Sequence, residues 1–227
     1  MAAKPPHGKK CLSTEESQLD YEIRRFGRSR RGERMNRFER EVTKHILSKI
    51  PANSLVADVP CGMGRFSDLV IEQGHRYLGL DINFAYTQYA ATRLKKFLLT
   101  GQASILDLPL ADNSVDLILS IRIFHHFQSE QIEQALKEIS RVSPRALITY
   151  YNRNTWRIQR RRFSSRLRRR QWQGGDAWDK NTYCPQDMAA LAEKAGLQIK
   201  ERIPPKGFFS FTTNHFLYLE RMESPST

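Results

Sequence analysis

Apolar residues change their period several times along this chain, and each change marks an element. Met35, Phe38, Val42, Ile46 and Ile50 recur at three- and four-residue spacing, the period of a helix with one buried face. Pro51-Ala52-Asn53 ends that helix. Short apolar runs then alternate with amphipathic stretches, which predicts strands over 54–59, 76–81, 103–106, 115–121 and 145–151 and helices over 64–73, 84–98 and 129–141. A basic helix is expected over about 155–172, with Trp156, Phe163 and Leu167 in one narrow stripe. Pro185 opens a further helix that Gly196 closes, and strands are expected over 197–203 and 214–221. Such alternation argues for a mostly parallel sheet covered by helices on both faces.

With 227 residues the chain is long enough for one α/β domain with a full core. The expected organisation is a flexible basic tail at 1–20, a helical extension at 21–50, and one domain over 51–227. That domain would carry a basic helical insert at 153–183, with Gly174-Gly175 as a hinge. Cys11, Cys61 and Cys184 are scattered, odd in number and outside any metal-ligand spacing, so neither a disulfide framework nor a metal site is expected. Residues 1–10 hold three lysines and two prolines without an apolar stretch, unlike a secretory signal, and no run has the length of a membrane span. A cytoplasmic protein follows, or one resting peripherally on the inner face of a membrane.

The net charge of +13 is concentrated in two places. From Arg24 to Arg40 eight arginines face Glu33 and Glu39, a balance of +6, and from Arg157 to Arg170 eight arginines face no acid, a balance of +8. The rest of the chain is close to neutral. An anionic partner is therefore expected at these two segments.

The stretch with the most chemistry is Val56-Ala57-Asp58-Val59-Pro60-Cys61-Gly62-Met63-Gly64-Arg65-Phe66, a strand ending in an acid that runs through a Gly-x-Gly loop into a helix. Gly62 and Gly64 suit a sharp backbone turn and close approach of a ligand. Asp58 falls at the carboxyl end of a strand, where open α/β sheets bind ligands. The next strand, Arg76 to Asp81, also ends in a carboxylate, whose two oxygens match the vicinal hydroxyls of a ribose. Asp81 could instead cap the next helix, a role open to Asn83. A dinucleotide fingerprint would place a third glycine near position 67, where this chain has Ser67, and would not ask for an acid ahead of the loop. A ligand with an ammonium group and no pyrophosphate fits better, and an NAD-dependent oxidoreductase is disfavoured.

On these residues the chain resembles the class I S-adenosyl-L-methionine (SAM)-dependent methyltransferases, particularly the ubiquinone-type and small-molecule subgroup. Leu108 to Ser120, Phe124-His125-His126-Phe127 and Arg141-Val142-Ser143-Pro144 followed by Ala146 to Thr149 are similar to later segments of that family. The resemblance implies a Rossmann-like α/β fold, mostly parallel with an antiparallel last strand, and SAM as cofactor. It places the methionine end of SAM near Asp58, Pro60, Cys61, Gly62 and Gly64, the ribose on Asp81 beside Ile82, and the remainder near Ser104, Ile105 and Ser120. Pro60 stands where the usual motif has its first glycine, and Ser104 where many relatives have an Asp.

Methyl transfer from a sulfonium needs positioning first, and a general base only where the acceptor arrives protonated. His125 and His126 are candidates for that base or a structural pair. Arg122 is a candidate for an acceptor anion or for pairing with a neighbouring acid. Tyr150, Tyr151 and Asn152, read as lying on one face at the end of the fifth strand, are candidates to wall the acceptor pocket. The acceptor implied by the arginines is RNA, through interleaved Trp156, Phe163 and Trp172, or a lipid-linked or small molecule at an anionic membrane surface. A noncatalytic module that keeps the SAM fold and holds RNA or anionic lipid through its arginines is the competing reading.

Overall fold

A computed structural model describes residues 30–93, 98–156, 158–160, 181–205 and 214–222. The expected tail, the start of the helical extension, most of the basic helix and Gly174-Gly175 lie outside the described residues.

Helix α1 (Arg30–Leu47) leads into β1 (Leu55–Asp58), α2 (Ser67–Glu72), β2 (Arg76–Asp81), α3 (Phe84–Arg93) and β3 (Leu98–Gln102). Then follow β4 (Leu117–Ser120), a 3-10 turn (Phe124–His126), α4 (Ser129–Val142), β5 (Arg145–Tyr151), α5 (Pro185–Lys194), β6 (Leu197–Ile203) and β7 (Asn214–Arg221). The seven strands form one sheet in the order β3-β2-β1-β4-β5-β7-β6. Strands β1 to β5 are parallel, and β7 runs antiparallel to both β5 and β6. The direction of the chain's progress reverses between β1 and β4, which makes the carboxyl ends of these two strands the switch point where such sheets hold ligands.

One expected strand moves. The third strand is Leu98–Gln102, not 103–106, and α3 is described only to Arg93 rather than reaching 98. β3 lies at the sheet edge with Leu99 exposed, so its side chains lack the alternation that would separate it from the preceding helix.

Each face of the sheet has its own core. On one, Ala57, Ile118, Ala146 and Ile148 pack with Ile132, Leu136 and Ile139 of α4 and Met188 and Leu191 of α5. On the other, Val56, Tyr77, Leu117, Leu119 and Leu147 meet Phe38, Val42 and Ile46 of α1 and Leu69 and Val70 of α2. Burying an aliphatic side chain of this kind stabilises by about 1.5–3 kcal/mol, so α1 is held by its apolar stripe as the periodicity predicts. Its orientation follows from two contacts: the carbonyl of Leu47 accepts from His75 just before β2 starts, while Glu39 reaches side chains at the opposite end of the sheet. The first turns of α1 therefore stand over the carboxyl ends of the strands.

Beyond β5 a strap docks at the same end. Tyr183 forms a parallel bridge with Asn152, and its hydroxyl donates to the carbonyl of Phe127 at 2.8 Å. The Arg153 guanidinium donates twice to the carbonyl of Thr182, at 3.1 and 2.7 Å. Among the described residues no helix is long and apolar enough to cross a membrane.

Candidate functional site

The loop after β1 is built by backbone hydrogen bonds to β2. Following the cis Val59–Pro60 peptide, the amide of Cys61 donates to the carbonyl of Leu80 at 2.8 Å and that of Gly62 donates to Oδ2 of Asp81 at 2.8 Å. Gly62 (φ 54) and Gly64 (φ 73) both adopt the left-handed region that glycine tolerates without steric cost. A Cβ on Gly62 would meet no atom within 4 Å, so the loop borders open space. Gly79 on β2 has the opposite reason to be glycine, since a Cβ there would lie 3.2 Å from the Cys61 sulfur.

That open space is a cavity of about 280 Å³, lined by the loop residues Pro60, Cys61, Gly62 and Met63, by Asp81, Ile82 and Tyr86, and by Ile121, Arg122, Ile123 and His126. Arg65 and Phe66 complete the wall. The structure thus gathers Pro60, Cys61, Gly62, Asp81, Ile82, Arg122 and His126 around one space. Asp58 lies beneath the loop, buried, with its Oδ2 accepting from the Tyr77 hydroxyl at 2.9 Å. Burial pushes the Asp58 carboxyl up to about 7, against the opposing effects of the Tyr77 bond and the Arg65 charge.

Asp81 already has work to do in the loop. Its two oxygens accept from the amides of Gly62 and Asn83, both at 2.8 Å, and burial raises its pKa in spite of these bonds. Each oxygen retains a second acceptor direction, which leaves room for a hydroxyl pair. Capping of α3 falls to Asn83, whose Oδ1 accepts from the amide of Ala85.

Other expected site residues lie elsewhere. Ser104 turns the chain, its hydroxyl accepting from the Leu106 amide and its carbonyl from the Asp107 amide, and Ile105 is in the core; neither lines the cavity. Ser120 is fully buried at the end of β4, with no hydrogen-bond partner for its hydroxyl among the described residues. Tyr150, Tyr151 and Asn152 do not share one face. Successive strand side chains point to opposite sides, so Tyr150 joins the α4–α5 core, while Tyr151 stacks on His125 with ring centroids 4.3 Å apart. Asn152 is buried and its Oδ1 accepts from the Asn154 amide. None of the three borders the cavity.

The sequence reading missed Glu39. This α1 residue is fully buried and takes Arg65 on one oxygen at 2.8 Å and Arg122 on the other at 2.7 Å. Asn214 of β7 donates to the same Oε1 at 3.2 Å. Arg122 is itself in the left-handed region (φ 68), held there by its amide's 2.7 Å bond to the Thr149 hydroxyl. The signal available beforehand was weak: a single acid beside Phe38 on the apolar side of an arginine-rich helix.

A parallel sheet reversed at β1 and β4, an antiparallel β7 inserted beside β5, and a glycine loop tied to an acid at the end of β2 define the class I SAM-dependent methyltransferase fold. Residues 57–145 match the family described as "Methyltransferase domain". It is similar in fold to magnesium protoporphyrin IX methyltransferase from Synechocystis PCC 6803 with bound SAH, with a TM-score of 0.70 and 13% identity over 92% of this chain and 95% of that one. It is also similar to a chain of the complex between the Haloferax volcanii Trm112 methyltransferase activator and a methyltransferase, with a TM-score of 0.62 and 18% identity over 93% and 96% of the two chains. Among curated sequences it is 31% identical over 100 residues to "Probable tRNA methyltransferase 9B" of Bos taurus. That match takes in 44% of this chain and 21% of the relative, so the chain spans about a fifth of the length of that protein.

Proposed function

We propose that this protein transfers a methyl group from SAM to an anionic acceptor, and that the acceptor is RNA. The observation that carries the first half is the 2.8 Å bond from the Gly62 amide to Asp81, which holds an open glycine loop and a diol-matching carboxylate on the two sides of one cavity. When bound, SAM supplies an electrophilic methyl on a sulfonium that departs as a neutral thioether. The residues present fit it: the free acceptor directions of Asp81 suit the ribose hydroxyls, Ile82 and Ile123 offer apolar surface, and Gly62 leaves its side of the loop bare.

His126 stands exposed on the cavity wall, where a ring nitrogen can take a proton from an acceptor N–H or O–H. The stack of His125 on Tyr151 instead supports a structural role for His125.

For the acceptor, the exposed residues of the first turns of α1 include Arg30, Arg31, Arg34 and Arg37, and this end of the helix stands over the same edge of the sheet as the cavity. The apolar residues Phe38, Val42 and Ile46 face the core, which leaves no apolar stripe on the outside of α1 to enter a bilayer. Phosphates of RNA suit such a surface, and Trp156, exposed with Arg160 packed 5.0 Å from its ring centre, is suited to base stacking. The similarity to proteins named as tRNA methyltransferases supports the same choice.

The test is incubation with methyl-labelled SAM and a cell lysate divided into RNA, protein, lipid and small-molecule fractions. Label in RNA, absent with Asp81→Ala, is the expected result. Label in lipid overturns the acceptor. Binding of SAM without label in any fraction favours a noncatalytic RNA- or lipid-holding module, and absence of SAM binding overturns the whole reading.

A further inference from the structure

The turn that carries His125 and His126 is tied to the end of β5 by one buried side chain. Two backbone bonds close that turn, from the His126 amide to the Ile123 carbonyl at 2.9 Å and from the Phe127 amide to the Phe124 carbonyl at 3.2 Å. Phe127 leaves it in an extended conformation, and its own carbonyl accepts from the Tyr183 hydroxyl at 2.8 Å. Ser129, the first residue of α4, also meets this hydroxyl. The backbone of the same tyrosine pairs on both sides of Asn152: its amide donates to the Tyr151 carbonyl at 3.0 Å, and its carbonyl accepts from the Arg153 amide at 2.9 Å. Tyr183 is buried in the α4–α5 core, where close packing leaves its ring little freedom to carry the hydroxyl elsewhere.

Both segments that Tyr183 holds contribute to one row of rings. Tyr151 stacks on His125 with ring centroids 4.3 Å apart and an interplanar angle of 15°, and the His125 ring centre lies 3.9 Å from that of His126, which borders the cavity. Tyr183 thus reaches His126 by two routes, through Phe127 next to it in the chain and through Tyr151 at the far end of the row. We propose that Tyr183 is a positioning residue for methyl transfer: without lining the cavity, it fixes the turn on which His126 faces the acceptor. The inference rests on the methyltransferase reading above, with His126 as the proton acceptor. Such a group must sit within hydrogen-bond reach of the proton it takes, about 2.6–3.2 Å, so a small shift of the turn slows transfer. The glycine loop, which hangs from β2, is left as it is.

Tyr183→Phe keeps the ring and removes the hydroxyl alone. In the full chain, turnover with methyl-labelled SAM and the RNA fraction of a cell lysate is expected to fall about tenfold, with the KM for SAM and the affinity for S-adenosylhomocysteine unchanged. In NMR spectra of histidine-labelled protein the ring signals of His125 and His126 are expected to move, while that of His75, at the opposite end of the sheet, stays in place. Tyr218→Phe removes a 2.9 Å bond from another buried tyrosine, to Glu220 on β7, and is expected to move neither the rate nor those signals, which separates positioning from a general loss of stability. Because Tyr183 acts through His126, adding Tyr183→Phe to His126→Ala should slow transfer no further than His126→Ala does alone. Full multiplication of the two effects, native turnover in Tyr183→Phe, or unmoved ring signals overturns the positioning role alone. No transfer to RNA by the native chain overturns the reading on which the inference rests, and the positioning role with it.

Discussion

The hydroxyl of Tyr77 donates a 2.9 Å hydrogen bond to Oδ2 of Asp58, across the register in which β2 runs beside β1. Both groups are buried, and this bond offsets part of the cost of placing a carboxylate beneath the loop. Tyr77→Phe removes the donor and leaves that oxygen unsatisfied. A loss of about 1–3 kcal/mol in folding stability is expected, measured by denaturant unfolding at pH 8.

The same burial sets a pH dependence. With its carboxyl pushed up to about 7, folded Asp58 binds its proton more tightly than the unfolded chain does, whose carboxyl is near the ordinary 3.8. Between these two values the native state holds more protons, so this group's contribution to stability is present below the unfolded value and declines as pH rises, until it is lost above about 7. Asp58→Asn removes the titration. The melting temperature of the variant minus that of the native chain should therefore become more positive from pH 5 to pH 8, and a flat difference would count against the assignment.

Asp81→Ala deprives the Gly62 and Asn83 amides of their acceptors as well as removing the carboxylate proposed to hold the ribose. SAM affinity should fall by more than about tenfold in calorimetry, with a loss of about 1–3 kcal/mol in stability. Asp81→Asn keeps an acceptor for one of these amides and should lose less stability than Asp81→Ala.

Gly79→Ala tests how closely the loop sits on β2. The added methyl would stand 3.0 Å from a ring carbon of Tyr77 and 3.2 Å from the Cys61 sulfur, both on buried side chains. Overpacking of this kind costs about 1–3 kcal/mol. Displacement of Cys61 should also weaken SAM binding, though no atom of Gly79 lines the cavity.

The two histidines should separate kinetically. His126→Ala is expected to slow methyl transfer by about 100-fold with SAM affinity unchanged, the signature of a lost proton acceptor. His125→Phe keeps an aromatic ring against Tyr151 and should leave turnover near the native value.

The elements around the site were legible because their signals are local. β5, α5, β6 and β7 have the expected bounds, and the strands that end in Asp58 and Asp81 could be read from short apolar runs closed by an acid. β3 was not legible in the same way: Leu98 and Leu99 continue the apolar character of the preceding stretch, Gly101 resembles a terminator, and an edge strand with an exposed leucine shows no alternation. The wall of the cavity was harder still. Glu39 lies 83 positions from Arg122, and nothing near either residue announces the other. An acid in an arginine-rich run ordinarily faces water; here the pairing is created by the way α1 crosses the sheet. Tyr151 and His125 pose the same problem, since their stack depends on how the turn after β4 folds back over β5.

The bridge between Asn152 and Tyr183, with the two hydrogen bonds that Arg153 donates to the Thr182 carbonyl, brings the chain back to the point it left. Everything between those anchors begins and ends at one place on the rim, and lengthening a closed loop costs little once its ends are fixed. The length of that stretch can therefore change without moving β5 or α5.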